Sequence, residues 1–135
     1  EMLAMESFPQ GEMVNTGVTT PLTPAEIAAY DAPYPDGSYK TGPRRFPVIL
    51  PIDPDNPARP ANLAAWEQLA HWEKPVLTLF AETFIGTSMG PEKLIEHIPG
   101  AQGQAHAGLA DTGFYIIEDA ADELARRTSE FLATT

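Results

Sequence analysis

Two short apolar segments in the second half of the chain each precede a helix-forming segment, and this order restricts the fold. Residues 76–80 follow Pro75 and form a compact apolar run, which is typical of a buried strand in a parallel sheet. Residues 104–110 are a weaker strand candidate, and helices are predicted over 91–98 and 119–132. Because parallel strands need a crossover connection, the order strand, helix, strand, helix predicts an α/β architecture.

A sheet of only two strands buries little surface and leaves both of its edges open. We therefore expect residues 72–135 to be the C-terminal βαβα part of a larger parallel sheet. The open edge also offers a route to self-association of the chain.

The first half of the chain is predicted to be helical, with long proline-rich connections. Thr23, Pro24 and Glu26 supply an N-cap, a proline at the first helical position and a carboxylate in the first turn, so a helix is expected to about Tyr30. A short helix is suggested near residues 3–8. Residues 31–39 are expected to be a loop, and residues 39–50 fit either a helix or an extended segment.

Two further helices are predicted to be amphipathic. The helix over 61–72 has an inner face formed by Leu63, Trp66, Leu69 and Ala70. The inner face of the helix over 119–132 is formed by Leu124, Ala125, Thr128, Phe131 and Leu132. Trp66, His71 and Trp72 are expected to pack the earlier helix against the sheet.

Composition excludes several classes of function. Eight Lys and Arg residues against 19 Asp and Glu residues give a net charge of −11, which repels nucleic acids and anionic membrane surfaces. There is no cysteine, and the three histidines lack the spacing of a zinc site, so we expect no metal and no cofactor. With no signal peptide or membrane span in the pattern, the cytoplasm is the default location.

The segment from Gly86 to Gly90 matches the G-x-S-x-G pattern of a nucleophilic serine, with Ser88 at its centre. It lies between a predicted strand and a predicted helix, as that motif requires. A serine hydrolase also needs an acid and then a histidine later in the chain, but His97 and His106 both precede Asp111. Glu92 or Glu96 would have to be the acid. The favoured interpretation is a tight turn in which Ser88 caps the following helix.

Several longer segments resemble haloalkane dehalogenases, which are α/β-hydrolases with a helical cap domain. The resemblance is carried by Ala29-Tyr30-Asp31-Ala32-Pro33-Tyr34-Pro35-Asp36, Ser38-Tyr39-Lys40, Arg45-Phe46-Pro47, Pro99-Gly100-Ala101-Gln102-Gly103-Gln104, Asp111-Thr112-Gly113 and Glu118-Asp119. It implies that residues 1–71 are part of the cap with its return connection, and that residues 72–135 are the end of an α/β-hydrolase core. The chain is thus expected to match only the C-terminal portion of such an enzyme.

The resemblance also implies a two-step reaction. In this family an aspartate displaces halide from an alkyl carbon, and a histidine-activated water then hydrolyses the alkyl-enzyme ester. We expect that aspartate and its neighbouring tryptophan to lie upstream of the segment matched here. The partner would then be a small halogenated hydrocarbon or another apolar ligand, bound once the N-terminal half completes the site.

The resemblance further places the catalytic positions on this chain. The base histidine of the family corresponds to Phe114, and its orienting acid corresponds to Phe84, with Glu82 as a substitute acid. The cap tryptophan that binds halide corresponds to Met5. Residues that match the lining of the halide and substrate pocket are Phe46, Pro47 and Leu50, although simple packing within the cap explains them equally well.

Three hypotheses follow. The first is a dehalogenase portion that is inactive as this chain alone, because a phenylalanine cannot activate water. The second is a non-catalytic module that binds an apolar ligand or a partner protein. The third, disfavoured by the order of the histidines, is a serine hydrolase that uses Ser88.

Overall fold

The structure is a computed structural model in which residues 9–50, 53–82 and 90–134 are described. These residues fall into two compact units, one formed by 9–17 and 21–60 and the other by 18–20 and 61–134. Within the described ranges, every helix is too short or too polar to cross a lipid bilayer.

The first unit contains three helices, which are α1 (Gln10–Asn15), α2 (Pro24–Asp31) and α3 (Thr41–Ile49). Helices α1 and α2 can approach closely because residue 11 is a glycine. A Cβ atom at Gly11 would collide with the carbonyl oxygen of Ile27. The carboxylate of Asp31 accepts a hydrogen bond from the backbone N–H of Gln10 at 3.0 Å, so the end of α2 binds the start of α1. Val14 is the buried apolar side chain of α1.

The start of α2 was predicted from local sequence, and the structure confirms it. The side chain of Glu26 accepts the backbone N–H of Thr23 at 2.7 Å, while the Thr23 hydroxyl accepts the backbone N–H of Glu26 at 3.3 Å. This reciprocal pair is a capping box, which satisfies N–H groups that a helix start otherwise leaves without partners. The Thr23 hydroxyl also donates to Glu26 and lowers the pKa of that carboxyl. The helix suggested near residues 3–8 lies outside the described residues.

The ambiguous segment 39–50 is a helix. The predicted loop over 31–39 ends in a single 3₁₀ turn, Gly37–Lys40, and α3 follows it directly. Asp36 caps this turn by accepting the backbone N–H of Ser38 at 2.8 Å. The 3₁₀ turn starts the helical backbone before the two prolines of α3 are reached. Prolines are common in extended segments, so the composition of this segment did not distinguish a helix from an extended chain.

The second unit contains a parallel pair of strands with helices between and after them. Its elements are α4 (Arg59–Leu69, of which the first two residues belong to the first unit), β1 (Leu79–Ala81), α5 (Pro91–His97), a 3₁₀ turn (Pro99–Ala101), β2 (Ala107–Leu109), α6 (Ile116–Asp119) and α7 (Ala121–Thr134). Its buried side chains are Thr78, Ala81, Ile98, Ala101, Leu109 and Thr112. The predicted order of strand, helix, strand and helix is confirmed.

Strands β1 and β2 run parallel, with Leu79 opposite Ala107 and Ala81 opposite Leu109. The predicted strand over 76–80 is shorter than expected at its start. The backbone N–H of Val76 donates to Gly100 at 3.0 Å, so this residue bonds to a turn before the ladder begins.

Helix α4 ends at Leu69, before the predicted end at residue 72. His71 and Trp72 therefore lie in the following turn and are exposed, so the prediction that they pack against the sheet is wrong. The Lys74 ammonium instead lies 5.6 Å from the centre of the Trp72 ring. Trp66 is half-buried, but its ring meets His97 of α5 edge-on at 4.8 Å rather than a strand.

The last predicted helix, over 119–132, is shifted by two residues to α7 (Ala121–Thr134), and a separate short helix, α6, precedes it. Ala120 has a non-helical backbone, so α6 ends at Asp119 and α7 starts at Ala121. Leu124 and Phe131 are half-buried, but the predicted inner-face residues Ala125, Thr128 and Leu132 are exposed. Leu124 and Phe131 are seven residues apart and therefore lie on the same narrow side of the helix, so the inner face of α7 is narrower than predicted. The inner face predicted for α4 is also too wide, since Leu63 is exposed.

Candidate functional site

The carboxyl ends of β1 and β2 lie side by side, because the two strands are parallel. Glu82 follows β1 directly, and its backbone N–H donates to Leu109 at 3.1 Å at the end of β2. Beyond Leu109 the chain continues through residues 110–113 to Phe114. The topology therefore brings the ends of these two strands, with Glu82 and the loop that leads to Phe114, to one edge of the sheet. This is the edge at which open α/β sheets bind ligands.

Glu82 has an exposed position at this edge. Its side chain lies against Gly108, where an added Cβ atom would come within 2.6 Å of the Glu82 Cγ atom. Glycine at position 108 thus makes room for the Glu82 side chain. Beside it is a cavity of about 340 Å³, lined by Glu82, Glu92, Thr78, His106, Phe80 and Ile95 among others. The lining of this cavity therefore combines the carboxylates of Glu82 and Glu92 with the apolar side chains of Phe80 and Ile95.

The loop from Asp111 to Phe114 has a defined backbone. Asp111 adopts a left-handed conformation with φ of 53°, a region in which aspartate is one of the more tolerated residues. The buried Thr112 hydroxyl donates to the backbone of Leu109 at 2.7 Å, and the backbone N–H of Gly113 donates to Asp119 at 2.8 Å. Phe114 follows with 56% of its surface exposed. Its ring meets the Tyr115 ring edge-on at 4.9 Å.

Asp119 accepts several hydrogen bonds in this region, a role that no sequence pattern indicated. It accepts bonds from Gly113, from Thr19 and from Thr20. Partial burial raises the pKa of this carboxyl, but the bonds from Gly113, Thr20 and Thr19 outweigh burial and hold the pKa below its usual value. The Thr19 donors lie 100 residues away in sequence, so no local signal could have revealed them.

His106 is held by the main chain on both sides of its ring. Nδ1 accepts the backbone N–H of Thr78 at 3.1 Å, and Nε2 lies 2.7 Å from the carbonyl oxygen of Ala101. Because the Thr78 N–H can only donate, Nδ1 must be the acceptor and Nε2 must carry the proton that Ala101 accepts. With both nitrogens engaged, this ring is poorly suited to act as a general base. That arrangement argues against His106 as the partner of a serine nucleophile.

His97, the other histidine after Ser88, is also engaged. Its Nε2 lies 2.7 Å from the carbonyl oxygen of Trp66, so this nitrogen donates the proton. Ser88 itself lies outside the described residues. The N-cap residue of α5 is Gly90, and the prediction that Ser88 caps this helix concerns a residue outside the described ranges.

The remaining predicted site residues are only partly described. Phe84 and Met5 lie outside the described residues, as does the side chain of Pro47, whose backbone is part of α3. Phe46 and Leu50 are exposed, by 60% and 41%. Within the described residues, no three acidic or histidine side chains gather into a possible metal site.

Several known proteins are similar to this chain, and those described below share one name. A scan against protein-family profiles finds none that matches. A haloalkane dehalogenase of Mycobacterium marinum is 47% identical over 120 residues, covering 89% of this chain and 40% of the relative. Haloalkane dehalogenase 1 of Mycobacterium tuberculosis is also 47% identical, over 122 residues with the same coverage. A haloalkane dehalogenase of Psychrobacter cryohalolentis is 41% identical over 125 residues, covering 93% of this chain and 41% of the relative.

The chain therefore spans about two fifths of the length of these relatives. The relatives imply an α/β-hydrolase fold, and the short parallel sheet with its helices is consistent with part of that fold. Over nearly all of its residues, this chain matches the C-terminal portion of haloalkane dehalogenases.

Proposed function

We propose that this chain provides the rear of the cap and the last βα units of a hydrolase that cleaves carbon–halogen bonds. The observation that carries the proposal is the arrangement of Glu82 and of the loop leading to Phe114 at the carboxyl ends of two neighbouring parallel strands. Identity of 41–47% to proteins named haloalkane dehalogenase supports the same reaction class.

In this proposal Phe114 occupies the position of the general base. Attack of a carboxylate on an alkyl halide needs no base, because the carboxylate is already ionised. Hydrolysis of the resulting ester does need a base to take a proton from water, and a phenylalanine cannot do so. General-base catalysis typically contributes ~10²- to 10⁴-fold. The first step would therefore proceed with a supplied nucleophile, and the second would stop.

Glu82 is the described carboxylate best situated to substitute for the orienting acid at position 84. It is exposed at the sheet edge, and Gly108 leaves room for its side chain. A carboxylate at this edge could orient an imidazole introduced at position 114 and stabilise its charged form. We assign no proton transfer to Glu82 while Phe114 is present.

Substrate contacts are proposed for Met5, Phe46, Pro47 and Leu50. Exposure of Phe46 and Leu50 leaves apolar surface available for a small halogenated hydrocarbon or a similar apolar ligand. The ligand would bind once the sequence corresponding to the rest of the relatives completes the site.

A second candidate function is a non-catalytic module that binds an apolar ligand or a partner chain. Large exposed apolar side chains in the first unit favour it, namely Tyr39, Phe46, Ile49 and Leu50. The sheet of the described residues has two strands, so its outer edges are also available for pairing with another copy. A monodisperse chain with ligand affinity but no adduct after completion would favour this candidate.

The test joins this chain to the N-terminal half of the Mycobacterium marinum relative and measures halide release from bromoalkanes. We expect no release by the 135-residue chain itself and at most one halide per completed chain, with the alkyl group retained on the protein. Mass spectrometry of the intact protein detects that adduct. Sustained release with Phe114 in place would contradict the proposed role of position 114.

A further inference from the structure

The carboxylate of Asp119 joins two segments that are far apart in sequence. Among the described residues, four donor groups point at it: the backbone N–H groups of Gly113, Thr19 and Thr20, and the Thr19 hydroxyl. Their distances are 2.8 to 3.2 Å. We call Asp119, Gly113, Thr19 and Thr20 the Asp119 clamp. All of its members belong to the second unit.

Each donor of the clamp suits an ionised carboxylate. Two carboxylate oxygens offer about four acceptor positions, and hydrogen bonds to an ionised acceptor are stronger than those between neutral groups. The Thr19 hydroxyl also lies 2.7 Å from the carbonyl oxygen of Asp111. Having one proton, it donates to either Asp111 or Asp119 at a given moment, so Thr19 contacts both ends of the 111–119 segment.

The clamp acts on the residue that precedes position 114. A bond to the Gly113 N–H restrains the Thr112–Gly113 peptide plane, one residue before the peptide that leads into Phe114, and Asp111 adopts its left-handed conformation at the other end of this loop. Exchange of the carboxylate for an amide would place an NH₂ group opposite an N–H donor, or leave a donor without an acceptor. The backbone at position 114 would then lose a restraint.

We propose that Asp119 is a positioning residue that fixes the backbone at position 114 through Gly113 and through the segment 18–20. This proposal rests on the proposed function for its catalytic meaning, because position 114 is where that function puts the general base. An ordinary role for an acid so near α7 would be stabilisation of the helix N-terminus. If that were its only role, replacing Asp119 would change amide exchange in α7 and leave the amides of Gly113 and Thr19 unchanged.

The test compares Asp119→Asn with the control Asp122→Asn, which removes a charge from the exposed first turn of α7. Amide hydrogen exchange and ¹⁵N relaxation are measured on the full chain. We expect about tenfold faster exchange at Gly113 and Thr19 in Asp119→Asn, as for the net loss of one hydrogen bond. The order parameter at residue 114 should fall from ~0.85 toward 0.6. The control should leave both readouts unchanged.

Changes confined to the α7 amides would overturn the proposal. If Asp119→Asn does not fold, Thr19→Val decides the question, because it removes the hydroxyl and keeps the backbone donors. A shifted Gly113 amide resonance in Thr19→Val supports the clamp, and an unchanged one overturns it.

In the completed chain carrying Phe114→His and Phe84→Asp, Asp119→Asn should lower kcat more than it changes KM. Absence of turnover with Asp119 intact would count against the proposed function, whereas the amide measurements judge the clamp independently.

Discussion

The backbone N–H of Thr78, just before β1, donates to Nδ1 of His106, just before β2, at 3.1 Å. The same ring contacts the carbonyl of Ala101, which is fully buried. The imidazole of the residue before β2 thereby satisfies one main-chain group at the start of β1 and one in the 3₁₀ turn between the strands.

Replacement of this imidazole should therefore be costly. His106→Leu leaves the buried Thr78 N–H without its acceptor and removes one of the two hydrogen bonds to the Ala101 carbonyl, which also accepts the Gln104 N–H at 3.3 Å. One unsatisfied buried group costs about 1–3 kcal/mol. His71→Leu is the matched control, since His71 is exposed and should change stability by less than ~0.5 kcal/mol. Urea denaturation of both variants checks this. Equal stability of the two variants would show that the His106 bonds contribute nothing.

Glycine is required at position 100 by a close backbone approach. A Cβ atom there would collide with the carbonyl group of Lys74, and the Gly100 N–H donates to Trp72 at 2.8 Å. A flexible side chain could rotate away from the added methyl group, but the backbone carbonyl of Lys74 cannot. Gly100→Ala should therefore destabilise the chain by about 1–3 kcal/mol.

The control for this change is Gly42→Ala, because Gly42 lies in α3 with nothing within 4 Å of the added atom. Alanine is the better helix former, so this variant should gain roughly 0.5–1 kcal/mol. Thermal melts of the two variants should move in opposite directions. A Gly100→Ala variant as stable as the parent chain would rule out the close approach.

The depressed pKa of Asp119 makes its contribution dependent on pH. A carboxyl whose pKa is lower in the folded state than its ordinary value of 3.8 stabilises the fold above that value. The stabilisation is lost as pH falls through the folded-state pKa. The difference in stability between the parent chain and Asp119→Asn should thus be largest near neutral pH and shrink below about pH 4. Denaturation midpoints of both proteins from pH 7 to pH 3 measure it, and a difference that grows on acidification would contradict this sign.

The features predicted correctly from the sequence are those that depend on residues close together in the chain. The capping box of Thr23 and Glu26 fixes the start of α2 within one turn, and the order of apolar segments fixes the parallel sheet. By contrast, the bonds of Thr78 to His106 and of Thr19 to Asp119 join residues 28 and 100 positions apart. No pattern within a window of the sequence contains both partners, so these contacts near the site could not be predicted.

Ser88 is expected to be unreactive. Of the two histidines that follow it, His106 has both ring nitrogens bonded to main-chain groups and His97 is bonded through Nε2 to the Trp66 carbonyl, which disfavours either ring as the base of a serine nucleophile. A fluorophosphonate probe should leave the chain unmodified, as judged by intact mass. Stoichiometric labelling that disappears in Ser88→Ala would instead restore the serine-hydrolase hypothesis.

Restoring the base in the completed chain measures whether position 114 is the base position of a dehalogenase site. With Phe114 and Phe84 in place we expect one halide per chain and a stable alkyl adduct. Phe114→His together with Phe84→Asp should release many halides per chain, because the acid orients the imidazole that activates water. Intact mass should then show the adduct disappearing. If the restored chain melts cooperatively, as a folded protein does, and yields neither adduct nor repeated halide release, the assignment of position 114 is wrong.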